Sequence, residues 1–442
     1  MPPETGANPK PIVIVGGGWA GIAAAIHLVN NNVPVTLIET AEQLGGRARM
    51  VMFDDLPVDN GQHIALGAYR NMLELLKILG IDEKYVLSRL PLSLTVHGNE
   101  GTVSLTAPKL PAPFHLSLAF LTATGLSAGD KFKTMVNWIR LIGIRPHSDM
   151  TVTQLLHCTG QSEKVTHFLW APLCIAAMNT HPDIASARVF QRVLKDAFMR
   201  RRADSDILLP RYDMGRLLPQ PAMDWLTNKG VNIMTGQRVN TINTKDNAVT
   251  GITVGDTTIE TSQLIIATNP WSCANLIESI DSLQPLRQNI SQFNYEPIAT
   301  VYLKYRKSVL LNPTMQGLAD SVTQWIFDRR ITSHPKIIAA VISADGEHAS
   351  MSKDELLQTV INDIKANTNC QDDPIDSMII REKRATFSAT PQAESLRPDN
   401  KTDLAGCWLA GDYTSTGYPA TLEGAIISGK QAAMQVIQGN RT

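Results

Sequence analysis

A chain of 442 residues is longer than one ordinary hydrophobic core supports, so two domains are expected. Hydrophobic residues at 43% and charged residues at 18% describe a folded globular protein, and a formal net charge of −1 provides no field to recruit nucleic acid. Five scattered cysteines with no C-x-x-C spacing argue against a metal site and for a reducing compartment, and most read as small core residues.

The first ten residues read as a disordered lead-in without the marks of a signal peptide. The apolar run 12–15 then reads as a strand that ends in Gly16, Gly18 and Gly21, a G-x-G-x-x-G. Glu39 follows at the end of a second strand-like run, 33–38. That order binds a dinucleotide. Gly16 permits the tight turn, Gly18 lets backbone approach a pyrophosphate, and Gly21 lets the helix pack on the strand. The helix opening at Trp19 and Ala20 aims amides at the phosphates, and Glu39 accepts from a ribose hydroxyl. Gly45-Gly46-Arg47 marks a second close pass, with Gly46 allowing approach and Arg47 bridging phosphate oxygens.

Residues 70–205 are mostly helical in pattern. Within them, 110–129 lack any Asp, Glu, Lys or Arg and are long enough to span a bilayer, but Pro111, Pro113 and Gly125 make a poor spanning helix. In the next helix Phe132, Met135, Val136 and Ile139 share a face flanked by Lys131, Lys133, Arg140 and Arg145. Two readings stay open: a monotopic membrane contact or a core-packing helical cap. Residues 219–229 read as a helix and 231–260 as a small antiparallel sheet turning at Asp246-Asn247 and Gly255-Asp256. A strand in 263–271 returns to the nucleotide domain. Strands and one helix, 352–367, opened by the capping box Ser352 to Glu355, fill 272–390.

The segment 407–433 reads as a last strand and a helix beginning near Pro419. Between them, the Asp412 carboxylate beside Gly411 can hold a sugar-alcohol hydroxyl, and the helix start can face the pyrimidine edge of a flavin. A chain that returns to its cofactor in this way points to FAD rather than a nicotinamide. The division that follows is 1–69, 206–271 and 391–442 for FAD binding. Residues 70–205 form a helical substrate- and membrane-facing part, and 272–390 a substrate-domain sheet with helices. Trp170, Trp271, Trp325 and Trp408 either line an apolar tunnel or belong to the core.

The strings GGGWAG, GGRA and LAGDYTSTGYPATLEGA, with Glu39, resemble the FAD-dependent amine oxidases and carotenoid-type (phytoene) desaturases. Within that superfamily, 58–80 and 170–190 are similar to the hydroxysqualene dehydroxylases, squalene-associated flavoenzymes of bacterial hopanoid synthesis. The resemblance implies an α/β fold, a Rossmann-like FAD-binding domain (GR2 type) with an inserted mixed α+β substrate domain. It carries FAD contacts onto Gly16, Gly18, Gly21, Glu39 and Arg47. Asp412 falls on the flavin ribitol and backbone at Val239 on the adenine. Gly417, Thr421 and Gly424 fall in the segment lining the flavin. Tyr418 stands where Leu is more usual, which reshapes the pocket wall.

The implied reaction replaces an allylic-type C–OH by C–H, with hydride from reduced flavin after assisted loss of the hydroxyl, in a dry pocket that holds carbon and donor within ~3–3.5 Å. Asp59, His63 and Tyr69 are the candidate acid or positioning residues, with His63 charged near neutral pH if Asp59 is close. The expected partners are the isoprenoid hydroxysqualene and an external reductant or reductase, since only one dinucleotide fingerprint is present. The expected location is cytoplasmic, peripheral on the inner face of the bacterial cytoplasmic membrane. Three rival readings remain: a carotenoid-type desaturase, a flavin amine oxidase in which Tyr413 and Tyr418 imitate the usual aromatic pair and a lysine is catalytic, and a flavin- or nucleotide-binding scaffold without turnover.

Overall fold

The structure is a computed structural model that describes residues 10–439; the expected lead-in lies, apart from Lys10, outside them. Ile12–Val15, Val35–Ile38 and Leu264–Ile266 are strands buried at every position. Continuous apolar runs of this kind suit parallel strands covered on both faces. They form the middle of a five-stranded parallel sheet, ordered Asn232–Met234, Val35–Ile38, Ile12–Val15, Leu264–Ile266, Cys407–Leu409. Asn232–Met234 corrects the reading that gave 231–260 wholly to an antiparallel sheet. It pairs in parallel with Val35–Ile38, and only Val239–Lys245, Ala248–Val254 and Thr257–Glu260 form the antiparallel unit.

Alternation along these strands sorts their side chains into two cores. Ile12, Ile14, Leu37 and Ile265 pack with Ile22, Ala25 and Ile426 of the helices Trp19–Asn30 and Leu422–Gly439. The last helix begins at Leu422, three residues later than its sequence suggests, so Pro419, Ala420 and Thr421 form the turn ahead of it. The two helices meet closely: a Cβ on Gly429 would lie 2.1 Å from the Ala20 carbonyl oxygen. Val13, Val15, Ile38 and Ile266 face the other way, into a core that continues through Phe120, Trp138, Trp170 and Phe198.

The second half of the molecule is built on a seven-stranded sheet. Its order is Asp376–Phe387, Tyr295–Lys304, His334–Ser343, Trp325–Arg329, Met315–Leu318, Ser93–Gly98, Gly101–Thr106. The last two strands correct the mostly helical reading of 70–205. They form a hairpin that joins the sheet through a parallel pairing of Val96 and His97 with Gly317 and Leu318. Helices Phe114–Thr122, Ala128–Gly143, Ala187–Phe198 and the stretch 163–178 cover the space above. The fold is therefore α/β, a Rossmann-like sheet with a mixed α+β insertion.

Candidate active site

A cavity of about 900 Å³ begins at the first glycine turn and runs into the second half of the molecule. Its near end is built by backbone. Gly16 has φ +111, and a Cβ there would meet the Ala267 carbonyl oxygen at 2.6 Å. Gly21 is closed by contact: its Cβ would lie 1.9 Å from the Gly16 carbonyl oxygen. Gly18 differs, because a Cβ there would meet nothing nearer than the Gly46 Cα at 4.0 Å. The two glycine segments are joined by the Gly45 amide, which donates to the Gly17 carbonyl at 2.9 Å. The two glycine backbones lie against each other, since a Cβ on Gly46 would stand 3.2 Å from the Gly18 Cα, and together they leave a bare stretch of cavity wall on which a pyrophosphate would rest, at the start of a helix whose first amides are unpaired within it.

Side chains complete this end. Glu39 accepts from the Gly17 amide at 2.6 Å and the Ala41 amide at 2.8 Å, which fixes its carboxylate and leaves acceptor positions for ribose hydroxyls. Val239, at the start of the antiparallel unit, lines the same end. Arg47 donates to Asp412 at 2.5 Å and to the Ala385 carbonyl at 2.6 Å. The phosphate-facing arginine and the ribitol-facing carboxylate of the sequence reading are thus paired with each other, closing the chain's first and last segments around one wall. Trp19, Ala20, Gly411 and Thr421 also line the cavity. Gly21, Gly417 and Gly424 do not; they shape backbone behind it, and the Gly424 amide donates to Thr421 Oγ1 at 3.1 Å.

The far end is apolar. The stretch 163–178 is α-helical except at Thr166–Trp170, where a π turn occurs. Leu169 and Trp170 of that turn line the wall, and such turns often serve sites. Trp170 stacks on Trp138 at 6.0 Å, and Phe120 meets both rings edge-on. The sheet floor contributes Ile298, Thr300, Met315, Trp325, Phe327 and Val341. Trp170, Trp271 and Trp325 therefore line the space, whereas Trp408 lies elsewhere and donates to Gln263.

The three candidate catalytic residues separate. Asp59 is 1% exposed and does not line the cavity. Its Oδ1 accepts from the Met214 amide at 2.6 Å, and its Oδ2 lies 3.5 Å from Arg329. Burial pushes its pKa up while Arg329 and His63 pull it down. Asp59 braces the loop rather than meeting a ligand. His63 does line the cavity, and its Nδ1 is buried without a partner. Burial pushes its pKa below the usual histidine value, against the opposing pull of Asp59 and of the Gly61 backbone, with Arg329 and Arg47 adding to the lowering. The expectation of an imidazolium is thus corrected: desolvation, the largest cause, outweighs a carboxylate already shared with Arg329 and Met214. Tyr69 lines the cavity beside Thr421, to which its hydroxyl is hydrogen-bonded, and burial raises its pKa so that it stays protonated.

Sequence reasoning missed Glu423. It is 1% exposed and accepts from the Asn71 amide and side chain and from the Met72 amide at 2.8–3.0 Å. It caps the helix Arg70–Ile78 from the last helix of the fold, and its position in the LEGA string was the available signal. Tyr413 and Tyr418 do not line the cavity; Tyr413 lies under Gly411, and the Tyr418 hydroxyl donates to Asp196. Among the described residues no lysine lines the cavity either.

A model of flavin-containing amine oxidoreductases matches residues 19–437. The chain is 26% identical to a hydroxysqualene dehydroxylase of Rhodopseudomonas palustris, over 98% of this chain and 99% of that one. It is 24% identical to a 15-cis-phytoene desaturase of Capsicum annuum, over 98% of this chain and 78% of that one. In fold it is similar to an oxidoreductase from Methanosarcina mazei, with a TM-score of 0.75, 13% identity, and coverage of 96% and 99%.

Proposed function

Because the chain belongs to the flavin-containing amine oxidoreductase family and takes FAD as cofactor, we propose that it removes the hydroxyl of hydroxysqualene to give squalene. One observation carries this reading: a single cavity joins the dinucleotide turn to a chamber walled largely by Leu, Ile, Phe and Trp side chains, and among the described residues it is lined by neither Tyr413, Tyr418 nor any lysine, the groups of amine oxidase chemistry. The similarity to hydroxysqualene dehydroxylases over nearly the whole chain supports it.

The overall change is C–OH plus hydride plus a proton giving C–H and water. Bound in its reduced form, FAD supplies the hydride. Gly18, Glu39, Gly46, Arg47, Val239, Gly411 and Asp412 hold the cofactor along the near end. The Phe120, Trp138, Trp170 and Phe198 cluster keeps bulk water from the chamber, where a carbon losing hydroxide must meet hydride before water. His63, whose burial favours the neutral ring, and Tyr69, which keeps its proton, are the cavity-lining groups that can hydrogen-bond the departing oxygen.

The same reading needs a route for a substrate that lives in lipid. Leu110, Phe114, Leu118 and Leu121 are exposed on or beside one helix, and Phe132, Val136 and Ile139 on the next, while Leu116 and Phe120 on the reverse face line the cavity. Exposure reaches 65% at Phe114, 61% at Phe132 and 73% at Ile139, with Lys131, Lys133 and Arg140 beside them. No helix of the described residues is long and apolar enough to cross a membrane. We place this face on an anionic bilayer surface as the entry for the isoprenoid.

Two measurements test the proposal. Reduced holoenzyme mixed anaerobically with hydroxysqualene is expected to give one squalene per flavin reoxidised. Failure to do so, with reduction of the oxidised holoenzyme's flavin by phytoene in a parallel anaerobic mixture, overturns the dehydroxylase reading in favour of a desaturase. Flotation with anionic liposomes is expected to carry the wild type, and Phe132→Ser with Ile139→Ser to abolish it; equal flotation of both removes the docking face.

A further inference from the structure

Buried polar atoms in folded proteins are nearly always hydrogen-bonded, because desolvating one without a partner is costly. Among the described residues that line the cavity, two side-chain atoms break this rule: Thr300 Oγ1 and His63 Nδ1. They come from distant parts of the chain and both lie near Gly61. A Cβ built on Gly61 would stand 3.7 Å from Thr300 Oγ1 and 3.9 Å from His63 Cε1. Gly61 has φ +128, a conformation that a side chain rarely takes, so the space beside these two atoms is left open by the backbone itself.

The surroundings of Thr300 are otherwise hydrocarbon. It is 1% exposed on the strand Tyr295–Lys304. Its neighbours across the sheet are Val341 on one side and Ile380 on the other, both lining the cavity, with Ile298 two residues along on the same face. Valine would fit this floor equally well by shape. Ile380 lies five residues along its strand from Ala385, which accepts from Arg47. Thr300 therefore sits in the substrate half and not at the Arg47–Asp412 pair.

We infer that Thr300 is a specificity-determining residue: its hydroxyl, with His63 nearby beside Gly61, binds the oxygen of an isoprenoid alcohol and marks where the oxygen-bearing carbon rests. A hydroxyl can donate to one of the pair and accept from the other. A hydrocarbon of the same length leaves both unpaired. A site built to bond a hydroxyl rejects the analogue lacking it far better than an apolar site senses its addition. The identity of the alcohol as hydroxysqualene rests on the reading above; the selectivity for an oxygenated over a hydrocarbon chain does not.

The test is a binding titration of FAD-loaded enzyme in detergent, following the flavin absorbance, with hydroxysqualene and squalene as probes. Wild type is expected to bind the alcohol more tightly than the hydrocarbon. Thr300→Val is expected to weaken the alcohol roughly three- to tenfold, with squalene binding kept or strengthened. Thr300→Ser is expected to restore the preference. Thr300→Val that keeps the wild-type ratio, or a wild type without preference, overturns the inference. If Thr300→Val takes up less FAD, Thr300→Ala gives the same comparison. A wild type that binds the alcohol selectively through Thr300 but gives no squalene upholds this inference and defeats the dehydroxylase reading; squalene formation with an unchanged ratio does the reverse.

Discussion

Two single-methyl substitutions in the first turn are expected to fail in opposite ways. At Gly18 the backbone has φ −70, acceptable to any residue, and an added Cβ keeps 4.0 Å from its nearest neighbour. Gly18→Ala should therefore leave the stability of the apoprotein within about 0.5 kcal/mol of wild type. The methyl nonetheless adds to the cavity wall that Gly18 shares with Gly46, against which the dinucleotide would lie. Overpacking a fitted site by one methyl costs about 1–3 kcal/mol, which weakens FAD by about 5- to 150-fold. At Gly21 the Cβ would lie 1.9 Å from the Gly16 carbonyl oxygen, against the 3.0 Å that real contacts respect, so the helix must move by about 1.1 Å, the difference of the two. That displacement reaches the sheet and is expected to lower apoprotein stability by about 1–3 kcal/mol or more. Apoprotein melting by circular dichroism and FAD titration by quenching of flavin fluorescence separate the two effects. Gly18→Ala that binds FAD like wild type would refute the close approach of the dinucleotide to the Gly18 backbone.

Asp412→Ala removes the partner of Arg47 and a hydroxyl acceptor, and is expected to weaken FAD roughly tenfold in the same titration. Glu423→Ala leaves the Asn71 and Met72 amides unpaired at a buried helix start, with an expected loss of about 1–3 kcal/mol in apoprotein stability by denaturant unfolding and partial recovery in Glu423→Gln. His63 has its folded pKa below the unfolded 6.5 because of burial, so the native state binds fewer protons than the unfolded state in the window beneath 6.5. Stability then falls as pH drops through that window, and His63→Asn is expected to flatten the melting-temperature profile there while changing little above pH 7.

What the sequence revealed followed from local rules. The first turn, Glu39, the Asp246-Asn247 turn and the box at Ser352 are set by residues a few positions apart, and each has the expected conformation. Asp246 and Asn247 both take positive φ, as a tight hairpin turn demands. What stayed hidden depends on distant partners. The 93–106 hairpin fell inside a stretch read as mostly helical, and its place in the sheet comes from pairing with Gly317 and Leu318, more than two hundred residues away. His63 looked chargeable because Asp59 was visible beside it, while Arg329, which claims that carboxylate, comes from another strand. Thr300 carries no motif: a threonine in a β-rich run is ordinary, and only the lack of any partner for its hydroxyl sets it apart.

The pairing of Arg47 with Asp412 spans 365 positions. A ribosome adding about 5–20 residues each second needs roughly 20–70 s between the two. Throughout that interval the newborn phosphate loop lacks its far wall, and the oily face carrying Ile14 and Ile22 waits for a helix not yet translated. The complete cofactor cradle accordingly waits for the synthesis of residues 407–439, which bring Asp412 and the last helix.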